Sequence, residues 1–184
     1  MPRFIGNANF SHASVGRIGV LLCNLGTPSA PTPAAIRRYL AEFLSDPRVV
    51  ELPRVLWLPI LYGLILNLRP RRSAHAYTKI WTAEGSPLRV YSEQQQHALS
   101  LALNAQHPDK ITVALAMRYG EPSITHALNE LHAQHAQRIL VLPLYPQYSG
   151  PSTGSVFDAV TKSLQGWRWV PEIRFINHLS LIHI

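Results

Sequence analysis

The feature that most restricts the fold is a pairing that recurs along the chain: an unbroken apolar run of strand length, a loop of small residues, then apolar residues at helical spacing. RIGVLLCNLG reads as a strand buried on both faces and ends in Gly26. In PTPAAIRRYLAEFLSDP, Thr32 stands as N-cap, Pro33 as first helical residue and Pro47 as terminator, with Ile36, Tyr39, Leu40, Phe43 and Leu44 spaced for a helix. The pairing returns in KITVALAMRYG before PSITHALNELHAQHA, and in the apolar run over 139–144 before SVFDAVTKSL, with EIRFI as a fourth strand. Between the first two units, SEQQQHALSLALN is expected to open a helix at Ser92, with Gln95 completing a capping box. Strands joined through helices form right-handed parallel crossovers. The expected fold class is therefore α/β, a doubly wound parallel sheet.

Ligands of such sheets bind beyond the carboxyl ends of the strands, which brings NLGTP, MRYGEP and YPQYSGPSTGS to one edge. These loops hold neither G-x-G-x-x-G nor G-x-x-x-x-G-K-[ST], so a nucleotide has no motif to support it. They offer apolar and aromatic surface with a few donors, namely Arg118, Tyr119, Tyr145, Tyr148, Ser149, Ser152 and Thr153. That set suits a large planar ligand with acidic edges. The alternative, that these residues only build turns and helix caps, stays open at this point.

At 184 residues and 47% hydrophobic, the chain can bury one sizeable core, and its net charge of +7 suits nucleic acid, an anionic membrane surface or an acidic substrate. One cysteine, Cys23, excludes an internal disulfide, and its apolar setting predicts an inert buried thiol in a reducing compartment. The start of the chain lacks a secretory signal, so residues 1–17 read as a loose leader and the protein as cytoplasmic. The longest apolar segment, LPRVLWLPILYGLILNLRPRR, is interrupted by Pro53, Pro59 and Gly63 and falls short of a spanning helix. Two readings of it stand: a buried broken helix, or a surface that meets a membrane or lines a cleft. His126, His132 and His135 do not share one helix face and no paired-ligand motif exists, so surface histidines are expected rather than a structural metal site.

GVLLCNLGTPSAPT, FLSDPRVV, EGSPL, MRYGEPSI and LPLYPQYSGPSTGS occur in the order and approximate spacing of the ferrochelatases, which insert ferrous iron into a porphyrin at the end of haem synthesis. The resemblance runs from Gly19 to about Asn177 and implies one Rossmann-like lobe over residues 18–178, with an apolar lip over 52–68. It implies Arg69, Tyr77 and Ser86 among the porphyrin contacts, Arg118 and Tyr119 near the cleft, and the YPQYS loop in its lining. Leu25 stands where coproporphyrin-using members carry a tyrosine, so it favours protoporphyrin IX. Peripheral contact of the lip with the inner face of the membrane follows from the same resemblance, and nucleic acid is not an expected partner.

Two departures accompany the resemblance. Gly150 replaces the cysteine that ligates an iron–sulfur cluster in some members, and with Cys23 alone no cluster is expected; iron is then a substrate and no cofactor is implied. Members consist of two similar lobes, and the catalytic histidine and its acidic partner belong to the second, so no catalytic residue is expected here. His178 lies near a histidine considered functional in some members. LSLIHI, residues 179–184, fits nothing the family carries there and can be read from an adapter-like DNA sequence, so a non-native tail after His178 is expected. On this reading the chain alone lacks chelatase activity. The competing classes are a porphyrin-binding half-domain or carrier, and a related chelatase for another tetrapyrrole.

Overall fold

The computed structural model describes Phe4, Gly6 and residues 16–179. The leader and tail expected at the two ends otherwise lie outside the described residues. Four parallel strands, β1 (Arg17–Gly26), β2 (Ile111–Tyr119), β3 (Ala136–Pro143) and β4 (Glu172–Phe175), form a sheet in the order β2-β1-β3-β4. The doubly wound architecture expected from the sequence is therefore present. Register is continuous along β1 and β2, where Leu21 pairs with Ala114 and Cys23 with Ala116, and Leu21 also pairs with Val141 of β3.

Strand alternation sends Leu21, Cys23, Ala114, Ala116, Ile139 and Val141 to one core, where α5 (Ile124–Ala133) and α6 (Ser155–Leu164) cover them. The intervening residues Val20, Leu22, Val113, Leu115 and Met117 form a second core, against which Leu99 and Leu103 of α4 (Pro87–Gln106) pack. Both sheet faces are thus apolar, which is why the strands read as continuous runs rather than alternations.

Helix α1 (Pro33–Leu44) begins as expected, with the Thr32 hydroxyl accepting from the Ala35 amide. The start of α4 differs from expectation. The helix opens after Ser86 with Pro87 as its first residue, and Ser92 lies inside it, donating to the Leu88 carbonyl and accepting from Asn24 Nδ2 at 3.0 Å. Pro87 fixes the helical φ six residues before the capping-box pattern would start it, so the buried Ser92 hydroxyl serves as a tertiary link. The apolar segment also departs from a broken buried helix. α2 (Arg54–Ile60) and α3 (Leu66–Ile80) are joined without interruption by a π-helical turn over Leu61–Ile65, and Pro59 and Pro70 sit within the helices.

Candidate functional site

The strand order reverses between β1 and β3, and the carboxyl ends of these strands form the crevice where doubly wound sheets take ligands. Gly26 ends β1 with φ +100°, and a Cβ there would meet the Tyr119 carbonyl oxygen at 1.8 Å. Only glycine lets β1 close on β2 at this edge. Just before it, Leu25 is half-buried and packs, together with Tyr77 of α3, on the cluster built by Ile36, Tyr39, Leu40, Leu61 and Leu66. The same cluster includes Tyr119, whose ring meets Phe43 edge-on at 5.0 Å. Leu25 and Tyr77, distant in sequence, are therefore walls of one apolar body.

Polar links fix the first loop. Thr27 Oγ1 donates to Ser86 Oγ at 2.8 Å, and both line an opening of about 500 Å³ with Tyr39, Arg38, Trp81 and Glu121. Arg69 lies on the exposed side of α3, in an open groove of about 680 Å³ with Leu64, Leu68, Arg72 and Ser73. Glu42 accepts from the Gly120 amide at 2.9 Å and joins the loop after β2 to α1; burial lifts its carboxyl above the usual range, against the pull of that amide and of Arg118.

At the second loop, Tyr119 has no exposed surface, and its hydroxyl donates to Asp46 Oδ2 at 2.8 Å and lies 3.0 Å from Ser155 Oγ. Arg118 is half-buried beside it and pairs with Asp46 at 2.5 Å. The third loop splits by depth. Tyr145 turns inward and its buried hydroxyl has no partner among the described residues; burial pushes the phenol above its ordinary value. Thr153 is also buried and donates to the Asn177 carbonyl at 3.3 Å, whereas Tyr148 and Ser149 are exposed and Ser149 Oγ lies 2.5 Å from Ser152 Oγ. His178 is exposed on the segment after β4.

Several residues of this edge carried no role in the sequence reading, above all Asp46, Ser155 and Asn24. Asp46 sits in FLSDPRVV, just after α1, and three of its four donors lie 72 or more residues away, so no local pattern points to its role. Cys23 is fully buried in β1, with its thiol pushed above the ordinary range by burial. His132, read as a surface residue, is partly covered: its ring centroid lies 4.6 Å from that of Trp167, and burial, then His135, lowers its pKa. No group of three or more His, Cys, Asp or Glu side chains placed to hold a metal occurs among the described residues.

The helical segment beside this edge is unlike the rest of the surface. Leu56, Ile60, Leu64 and Leu68 recur every four residues and are 64%, 45%, 56% and 66% exposed. Arg54, Arg69, Arg71, Arg72 and Lys79 accompany them, and no Asp or Glu falls between Glu51 and Glu84. Among the described residues no helix is long and apolar enough to cross a membrane.

Residues 17–180 match the family model for ferrochelatase. The chain is 55% identical over 175 residues to the ferrochelatase of Thioalkalivibrio sulfidiphilus, covering 95% of this chain and 47% of that protein. It is 56% identical over 166 residues to ferrochelatase 2 of Shewanella oneidensis, covering 90% of this chain and 50% of that one. The ferrochelatase of Teredinibacter turnerae is 54% identical over 169 residues, 92% of this chain and 46% of its own length. The chain thus spans about half the length of these relatives, and with the family model matched along almost all of it, the chain belongs to the ferrochelatase family.

Proposed function

We propose that the chain is the N-terminal lobe of a bacterial-type ferrochelatase that inserts ferrous iron into protoporphyrin IX, with iron as substrate rather than cofactor. The observation that supports this most directly is the joint packing of Leu25 and Tyr77 on one apolar cluster at the edge where the strand order reverses. A porphyrin is an apolar disc with two carboxylates, so it needs an apolar wall and cationic or hydroxyl groups at the rim. Leu25 and Tyr77 supply wall; Arg69 and Arg118 supply cations, the buried Ser86 supplies a hydroxyl beside Thr27, and the exposed Tyr148 and Ser149 with the half-buried Ser152 lie on the third loop. Tyr119, Tyr145 and Thr153 act from beneath, as the packed floor that holds these groups. Leu25 offers no oxygen to iron, which favours protoporphyrin over coproporphyrin.

On this reading the chain binds and orients the macrocycle, and the proton acceptor for the two pyrrole N–H groups belongs to the second lobe. Titrating the 184-residue chain with protoporphyrin IX should shift the porphyrin absorbance band, while added ferrous iron leaves the porphyrin unmetallated. Lack of any shift would count against the reading, and metallation by this chain alone would overturn the assignment of the base. The exposed stripe from Leu56 to Leu68 and its arginines support a peripheral, cytoplasmic-side contact with anionic lipid for this lobe. A lipophilic substrate and product would then enter and leave at the bilayer surface.

A further inference from the structure

Asp46 lies buried in the turn after α1, and one of its oxygens gathers three donors. Oδ2 accepts from Arg118 Nη2 at 2.5 Å, from Ser155 Oγ at 2.5 Å and from the Tyr119 hydroxyl at 2.8 Å, while Oδ1 accepts from the Arg48 amide at 2.8 Å. These donors come from the end of β2, the start of α6 and the turn after α1, so one carboxylate ties together three parts of the edge that carries the site. With four donors satisfied, Asp46 has little left to offer a ligand. Its influence passes through Arg118.

Arg118 is clamped along one side. Nε donates to both the carbonyl and the hydroxyl of Ser155, at 2.9 and 2.6 Å, Nη2 goes to Asp46, and the guanidinium carbon stands 4.4 Å from the centre of the Tyr119 ring. Nη1 has no hydrogen-bond partner among the described residues. Arg118 borders an open groove of about 930 Å³ lined by the cations Arg54 and Lys162 and by three carboxylates that are already engaged, Asp46 as above, Asp158 with Arg48 and Glu42 with the Gly120 amide; the Ser45 hydroxyl there is buried without a partner among the described residues. A guanidinium held along one edge through both Nε and Nη2 has already lost its rotamer freedom, so its remaining donors meet an anion at little further entropic cost.

We infer that Asp46 is a positioning residue: it orients Arg118 so that the unused guanidinium edge stands as a fixed donor to an anionic group of the ligand. This rests on the proposed function, under which that group is a carboxylate of the tetrapyrrole. A double-mutant cycle on porphyrin affinity, read by fluorescence quenching in the 184-residue chain, tests it. Arg118→Ala and Asp46→Asn should each weaken binding about tenfold, the range of one charge-assisted hydrogen bond. The double variant should be no weaker than Arg118→Ala alone, because the aspartate then has nothing to position. Multiplying losses, or wild-type affinity in Asp46→Asn, would overturn the inference.

Arg118→Lys covers the case in which Asp46→Asn does not fold. It keeps the charge and loses the paired Nε and Nη2 bonds, so it should bind almost as weakly as the alanine variant; wild-type affinity would show that charge suffices and orientation does not matter. Failure of the wild-type chain to bind porphyrin would remove the proposed function, and the clamp is then read without ligand. The Arg118 Nη2–H signal in nitrogen-15 NMR, whose acceptor is Asp46, should exchange slowly in the wild type and rapidly in Asp46→Asn. Slow exchange in both would overturn the clamp by itself.

Discussion

Strand β1 and the helical stretch from Arg54 to Leu68 are both apolar runs broken by single polar residues, and they end on opposite sides of the solvent boundary. In β1 the side chains alternate between two faces, and each face has a covering layer, so Leu21, Leu22 and Cys23 are all at most 2% exposed. A helix presents its whole circumference, and here one stripe is covered. Leu61, Leu66, Pro70 and Ala74 are buried, while the stripe through Leu56, Ile60, Leu64 and Leu68 faces outward. The buried stripe steps by five residues between Leu61 and Leu66, where the π-helical turn supplies the added residue that keeps both leucines on the core side. Apolar content therefore does not decide burial. The number of covered faces does.

The sharpest way to break this comparison is to cut the same side chain in both regions. Leu21→Ala removes a side chain with no exposed surface and should cost about 3–5 kcal/mol of stability, the range for a leucine cavity in a packed core. Leu68→Ala, at 66% exposure, should change stability by less than about 0.5 kcal/mol. Urea unfolding of the two variants measures both. Similar costs would mean that the outer stripe is covered in solution and that the contrast drawn here is wrong.

Between those extremes stands Asp46, a charge within the covered region. Burial alone would raise its carboxyl pKa, but the hydrogen bonds from Ser155, the Arg48 amide and Tyr119, with the Arg118 charge, outweigh it and hold the value below the usual range. A depressed folded pKa means that the unfolded chain takes up the proton first as pH falls. The stabilisation is complete above the ordinary carboxylate value near pH 4 and is lost as pH drops through the lowered folded value. Unfolding free energies measured from pH 6 down to pH 2.5 should fall with acid in the wild type and fall less steeply in Asp46→Asn. Parallel curves would show that this carboxylate is not the titrating link.

What the sequence made legible follows the same division. Strand β1, the Thr32 cap with Pro33, helix α6 and the sheet class are dictated by local patterns that tertiary packing reinforces. The start of α4 departs from its local pattern: Ser92 with Gln95 satisfies a capping box, yet Pro87 opens the helix earlier in the chain. The motif loops were recognisable as a set, yet their depth was not: Tyr145 and Tyr148 are three residues apart, and one is packed under the sheet edge while the other is 56% exposed. Nothing local marks Asp46 as a hub, because its donors lie at Arg48, Arg118, Tyr119 and Ser155 and meet only after the crossovers form.

The smallest expected effect on folding is also the one that gives the outer stripe its meaning. Leu56→Glu and Leu64→Glu place charges where apolar side chains already face water, so neither should shift the melting temperature by more than a few degrees. If the stripe serves a membrane, the same changes should abolish sedimentation with vesicles containing anionic phospholipid, because each both removes buried apolar area and repels the lipid surface. Replacing Arg71 and Arg72 by glutamine should weaken that binding in a salt-dependent way, since each cation near an anionic surface contributes about 1 kcal/mol. Binding that survives both sets of changes would leave the stripe to a protein neighbour. Loss of binding with folding intact would show that the uncovered apolar face, unlike its twin in β1, is retained for what it meets outside the fold.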